Sequence, residues 1–125
     1  MPQITLEFTA NVRIDSDWGT LLPKIHQLIS KIAGISIGNC KSRILEHTRY
    51  YVGDGSGEQA FVHLEIAILE GRDDTTKAEL GNSLLSMLQT HLLPENAGKD
   101  LQITVEIKDI SRKHYFKFPK GSISN

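Results

Sequence analysis

The sequence predicts an α+β domain of order β-α-β-β-α-β, a four-stranded sheet with two helices on one face, and three observations carry that expectation. Apolar residues recur at period 2 in strand-length segments, at helical spacing in two longer ones, and the segments follow one another as strand, helix, strand twice over. Parallel crossovers are right-handed, so two such units bring both helices to the same side of the sheet and leave the other side open. The open side is expected to be apolar in part and covered by another subunit.

Residues 3–9 alternate strictly, with Ile4, Leu6 and Phe8 on one side and Thr5, Glu7 and Thr9 on the other, as a half-buried strand does. Leu21, Ile25, Leu28, Ile29 and Ile32 then fall on one helical face. Gly34 ends that helix, and Pro23 near the first turns places its start between Ser16 and Thr20. Segments 41–52 and 60–69 read as strands on either side of Gly53-Asp54-Gly55-Ser56-Gly57, forming a hairpin or a nearby pair. The glycine-rich run lacks a Gly-Lys-Ser/Thr ending and opens no helix, so it is read as a turn rather than a phosphate cradle. A second helix follows Asp73 and Asp74, whose carboxylates suit a helix N-terminus, with Leu80, Leu84, Met87 and Leu88 on one stripe and Pro94 and Gly98 closing it. The last strand is 101–109, where Leu101, Ile103, Val105 and Ile107 alternate with polar residues. A faint repeat links the halves: Leu6-Glu7-Phe8 with Arg13 and Asp15 after it, and Leu64-Glu65-Ile66 with Arg72 and Asp74 after it.

A chain of 125 residues fits one domain, with halves of about 2–58 and 59–118 and a tail at 119–125. Fourteen Lys and Arg against fifteen Asp and Glu leave a formal charge of -1, so no overall field recruits nucleic acid or a membrane, and neither is expected as a partner. Glu7, Asp15 and Asp17 interrupt any leader-like apolar core, which makes the cytoplasm the expected compartment. Cys40 is the single cysteine and reads as a bystander thiol, so no internal disulfide supplements the small core and oligomerisation is expected to add burial. His26, His47, His63, His91 and His114 show no metal-ligand spacing, and no metal is assigned. The run Arg112-Lys113-His114-Tyr115-Phe116-Lys117-Phe118 interleaves cations with aromatics; it is read as packing along a neighbouring subunit rather than on nucleic acid.

Pro2 follows the initiator Met, and so small a second residue permits Met1 to be removed. The new terminus would then be a secondary amine, able to act as a base near neutral pH if burial and nearby cations disfavour its ammonium form. Proline also falls at position 2 by chance, so Pro2 alone leaves both readings open.

The proline terminus leading into a strand, the two βαβ halves and the segments Lys41-Ser42-Arg43, Ala60-Phe61-Val62-His63 and Gly71-Arg72 together resemble the tautomerase superfamily, and within it the 5-carboxymethyl-2-hydroxymuconate Δ-isomerase branch. The likeness runs from Pro2 to about Phe118 and includes Asn11-Val12-Arg13, Thr90-His91 and Tyr115-Phe116-Lys117. It implies a homotrimer with a cofactor-free isomerase site, acting on unsaturated keto-acid carboxylates from aromatic-ring breakdown. In that scheme Pro2 is the base and acid, Arg72 the second catalytic residue, and Lys41 and Arg43 bind substrate. Arg72 has a plainer alternative as a solvated loop residue, although a cation beside a helix N-terminus opposes the dipole. Relatives carry Arg-Ser-Arg where this chain has Lys41-Ser42-Arg43, and lysine offers a point charge instead of a bidentate fork. This departure supports one alternative, another keto-enol substrate with the same fold and base; the other, a trimeric binding protein without catalysis, gains if Met1 is retained, since the Pro2 nitrogen is then an amide.

Overall fold

The computed structural model describes residues 1–14 and 17–119. Its elements are β1 (Gln3–Thr9), α1 (Trp18–Ala33), β2 (Lys41–His47), β3 (Gln59–Leu69), α2 (Asp74–Leu92) and β4 (Asp100–Ile110), with short 3-10 turns at Ile37–Asn39, Pro94–Asn96 and Arg112–His114. The strands form one sheet in the order β2-β1-β3-β4. Each crossover pair, β1 with β2 and β3 with β4, is parallel, while β1 and β3 run antiparallel at the centre.

Alternation explains the core. Ile4, Leu6 and Phe8 of β1 and Ala60, Val62, Leu64, Ile66 and Ile68 of β3 all point to the helix side and are buried. Leu21, Ile25 and Ile29 of α1 and Leu80, Leu84, Leu88 and Leu92 of α2 close over them. Gly34 caps α1 at a φ of 69°, a backbone conformation that costs a side chain energy but not glycine. The Asp73 side chain caps α2 by accepting from the Thr76 N–H at 2.8 Å, and this hydrogen bond holds its carboxyl below the usual range. Leu64 lies fully buried in β3 between Leu6 and Val105. Leu64→Ala is expected to cost about 2–5 kcal/mol of unfolding free energy, read from the midpoint of a urea denaturation curve.

Two sequence expectations are corrected. Segments 41–52 and 60–69 do not pair as a hairpin, because β1 lies between β2 and β3. The half-exposed β2 suits an edge, whereas β3 alternates fully buried residues and takes a central place. The earlier strand ends at His47 rather than at 52, since its partner β1 runs out at Thr9 and leaves no ladder beyond. The open face mixes polar and apolar groups. His47 Nε2 and Glu7 Oε1 are 2.9 Å apart, His63 Nδ1 and Thr104 Oγ1 2.6 Å, and Lys108 reaches Glu65 at 3.6 Å. Phe61 and Leu45 lie among these groups, so a partner on this face would meet hydrogen-bonded pairs as well as apolar surface. Asp15 of the faint repeat, Ser16 at the predicted helix start, and tail residues 120–125 lie outside the described residues.

The topology sorts the termini. Gln3 sits in register with Lys41 of parallel β2 and with Ala67 near the end of antiparallel β3. The starts of β1 and β2, the ends of β3 and β4, the last turn of α1 and the first turn of α2 therefore share one pole of the domain.

Candidate active site

Pro2 stands at that pole, buried at the head of β1. Its carbonyl accepts the Lys41 backbone N–H at 3.2 Å, which fixes Lys41 beside the chain terminus. Lys41 Nζ donates to the Asn39 carbonyl at 3.3 Å. Arg72 follows Gly71, whose φ of 129° turns the chain sharply out of β3. Its Nε donates to the Ala33 carbonyl at 3.3 Å. The last carbonyls of α1 are short of partners and lie at the negative end of its dipole, so this contact gives a half-buried cation a reason to stay at the pole.

The segment after β4 folds back to the same place. Arg112 turns it, with its backbone N–H on Glu70 Oε2 at 2.8 Å and its Nε on the Glu70 carbonyl at 2.9 Å. The Tyr115 hydroxyl then donates to Met1 Sδ and accepts from Gln3 Nε2. From there exposure alternates: Tyr115 and Lys117 are half-buried, while Phe116 and Phe118 are 87% and 95% exposed.

The terminal amine carried here by Met1 is pushed below its ordinary value, first by burial and then by Lys41, Lys117 and Arg72, with Cys40 acting in the opposite sense. The pole is thus arranged to favour a neutral amine. Burial pushes the Cys40 thiol up, which disfavours its reactive thiolate, and its Sγ lies 3.8 Å from the Ser36 carbonyl.

The structure therefore brings Pro2, Lys41 and Arg72 together. Arg43 is close but differently engaged: its Nη2 donates to Gln3 Oε1 at 2.7 Å, and Gln3 in turn donates to Tyr115, so Arg43 braces the residues around the amine. Tyr115 and Lys117 were not anticipated as site residues. Their alternation with two phenylalanines is legible in the sequence, but only the return of the tail to β1 shows which pair is the half-buried one. The histidines lie elsewhere. His26 bonds Ser42, His91 bonds the Met87 carbonyl, and His63 with Glu65 and Glu106 forms a group on the open face with ligand atoms within 4.8 Å of one another. An open cleft of about 620 Å³ between Ala10–Arg13, Glu58, Gly98 and Lys99 lies at the opposite pole and contains none of these residues. At the Pro2 pole the Met1 side chain, 3% exposed, fills the space against Tyr115.

Comparison with known proteins points the same way. The family described as 5-carboxymethyl-2-hydroxymuconate isomerase matches residues 2–121. A 5-carboxymethyl-2-hydroxymuconate Delta-isomerase of Escherichia coli is 23% identical over 117 residues, covering 94% of this chain and 93% of that protein. A crystal structure of a 5-carboxymethyl-2-hydroxymuconate isomerase from Deinococcus radiodurans R1 superposes with a TM-score of 0.84 at 30% identity, covering 98% of this chain and 91% of the other. A symmetric trimer of fused 4-OT shares the fold at a TM-score of 0.72 and 14% identity, over 98% of this chain and 95% of that one. Among the described residues no helix is long and apolar enough to cross a membrane.

Proposed function

The chain belongs to the 5-carboxymethyl-2-hydroxymuconate isomerase family, and from that premise we propose that it isomerises an unsaturated keto acid of this type with the Pro2 nitrogen as proton carrier. Isomerase activity follows from the family; the substrate and the proline mechanism are the proposal. The observation that carries it is the placing of Lys41 beside the chain terminus by its backbone hydrogen bond to Pro2 and of Arg72 at the same pole by its bond to the Ala33 carbonyl, with neither paired to a carboxylate among the described residues; their charges and that of Lys117 act to lower the amine's basicity. Cations left unneutralised around an amine of depressed basicity form a receptor for an anionic substrate beside a base.

With Met1 removed, the Pro2 nitrogen takes the proton of the enol hydroxyl, and the electrons pass into a dienolate. The protonated nitrogen then returns that proton to a carbon further along, which leaves a ketone and a shifted double bond. Arg72 stabilises the oxyanion and a neighbouring carboxylate through charge-assisted hydrogen bonds, and Lys41 holds a second carboxylate. Each step uses groups of the chain, so neither metal nor organic cofactor enters the scheme.

The pH profile tests the base. Its kcat/KM is expected to rise with pH through the pKa of the Pro2 nitrogen, which the same burial and cations that lower the Met1 amine at this pole act to hold down. Lys41→Met removes a charge that disfavours the ammonium form, so the amine's pKa rises and the limb moves to higher pH. A limb that stays in place in this variant contradicts the assignment.

Lys41 itself favours one second reading. A lysine where the family resemblance implies an arginine grips a carboxylate at one point, which fits a tautomerase acting on a different keto-enol acid. A panel of enol acids separates the two by which compound has the highest kcat/KM.

The trimer is proposed as well. Fused 4-OT forms a symmetric trimer on this fold, and Phe116 and Phe118 project from the tail with nothing of their own chain against them. Sedimentation equilibrium is expected to give three times the chain mass of 13.9 kDa. The double variant Phe116→Ser/Phe118→Ser is expected to weaken that association, and a stable wild-type monomer contradicts it.

A further inference from the structure

The geometry points to Lys117 as the cation for a third carboxylate, so that the segment after β4 sets a preference for tricarboxylic over dicarboxylic keto acids. This inference rests on the isomerase reading above and names the residue that selects among its substrates. The path of the chain supplies the first argument. Arg112 is tied to Glu70 through its backbone N–H and its guanidinium, and Tyr115 is tied to Gln3 by a bond that does not depend on Met1, so residues 112–115 are held against the N-terminal pole. Two residues beyond Tyr115, Lys117 lies on the same half-buried side, and the exposed phenylalanines turn away. Its charge reaches the terminal amine together with those of Lys41 and Arg72.

Charge counting supplies the second argument. A muconate bearing a carboxymethyl group has three carboxylates, and burying one of them unpaired costs far more than leaving it in water. Lys41 and Arg72 provide for two. Arg43, the other nearby cation, is exposed on β2 and has its Nη2 on Gln3 at 2.7 Å, whereas Lys117 is half-buried. Among the described residues Lys117 has no salt-bridge partner, so it is free to take the third. The lysine stem also suits a carboxylate on a flexible arm, which a compact ammonium can follow as a planar guanidinium cannot.

The test compares 5-carboxymethyl-2-hydroxymuconate with 2-hydroxymuconate, which lacks the carboxymethyl arm, using the wild type, Lys117→Met and Lys117→Arg. Lys117→Met is expected to lower the ratio of the two kcat/KM values about 10- to 100-fold, the loss of one hydrogen bond to a charged group. Lys117→Arg keeps the charge without the compact ammonium and is expected to recover part of that ratio. Equal losses on both compounds, or no change in the ratio, overturn the inference. Calorimetric titration with propane-1,2,3-tricarboxylate and with glutarate separates it from the isomerase reading. If the wild type turns over neither enol acid, that reading fails, and Lys117 is judged by binding alone. A loss of affinity in Lys117→Met confined to the tricarboxylate supports it, and an equal loss on both ligands, or no binding by the wild type, overturns it. Melting temperature and sedimentation of each variant show that fold and assembly are unchanged.

Discussion

Protein that keeps Met1 is expected to isomerise its substrate about 10²- to 10⁴-fold more slowly than protein that begins at Pro2, the range contributed by a positioned general base. With Met1 attached, the Pro2 nitrogen is a tertiary amide whose lone pair is delocalised into the carbonyl, so it binds no proton at neutral pH. Met1 has its own amine, but that group is primary and one residue removed from the Pro2 nitrogen. The Met1 side chain adds a steric block, since it is buried against Tyr115 at the pole where the cations meet. Removing Met1 uncovers the nitrogen and frees that volume together. The comparison needs two preparations separated by intact mass and assayed on the same substrate. Equal activity in both would move the base to another group.

Arg72→Ala is expected to lower kcat/KM by about 10²- to 10³-fold, or roughly 2.7–4 kcal/mol of transition-state stabilisation, as for the loss of an oxyanion donor. A solvated loop arginine would cost almost nothing when removed. Arg72 differs because the positive φ of Gly71 turns it out of β3 and the Ala33 carbonyl anchors its Nε at 3.3 Å. This bond employs one N–H of the guanidinium and leaves the terminal nitrogens for the substrate. Arg72→Lys keeps the charge but loses the fork, so an intermediate rate is expected. Kinetics of Arg72→Ala identical to wild type would remove Arg72 from the site.

Element by element, the sequence was readable where a period was long and a partner face buried. The alternation from Ile4 to Phe8, the helical stripes and the caps at Gly34 and Asp73 all reappear in the structure, because each follows from local chemistry joined to one-sided burial. The placing of β1 between β2 and β3 was not readable. The glycine turn at 53–57 suits a hairpin, and only the competition for the central position between exposed β2 and buried β3 decides against it. The site divided similarly. Pro2 is legible from its place after Met1, the resemblance adds Arg72, Lys41 and Arg43, and the structure shows that Arg43 also holds Gln3. Tyr115 and Lys117 lie more than a hundred residues from Gln3 along the chain, so no local pattern could place them beside it.

The central claim is that a free Pro2 nitrogen is the base, and one measurement addresses it most directly. Protein shown by intact mass to begin at Pro2 is assayed for 5-carboxymethyl-2-hydroxymuconate isomerisation by ultraviolet absorbance across pH, while the ¹⁵N signal of the terminal proline is titrated by NMR. The account predicts rapid turnover whose rising limb coincides with the titration of that nitrogen. Turnover that follows another titration, or none from protein with a free terminal proline, would contradict it.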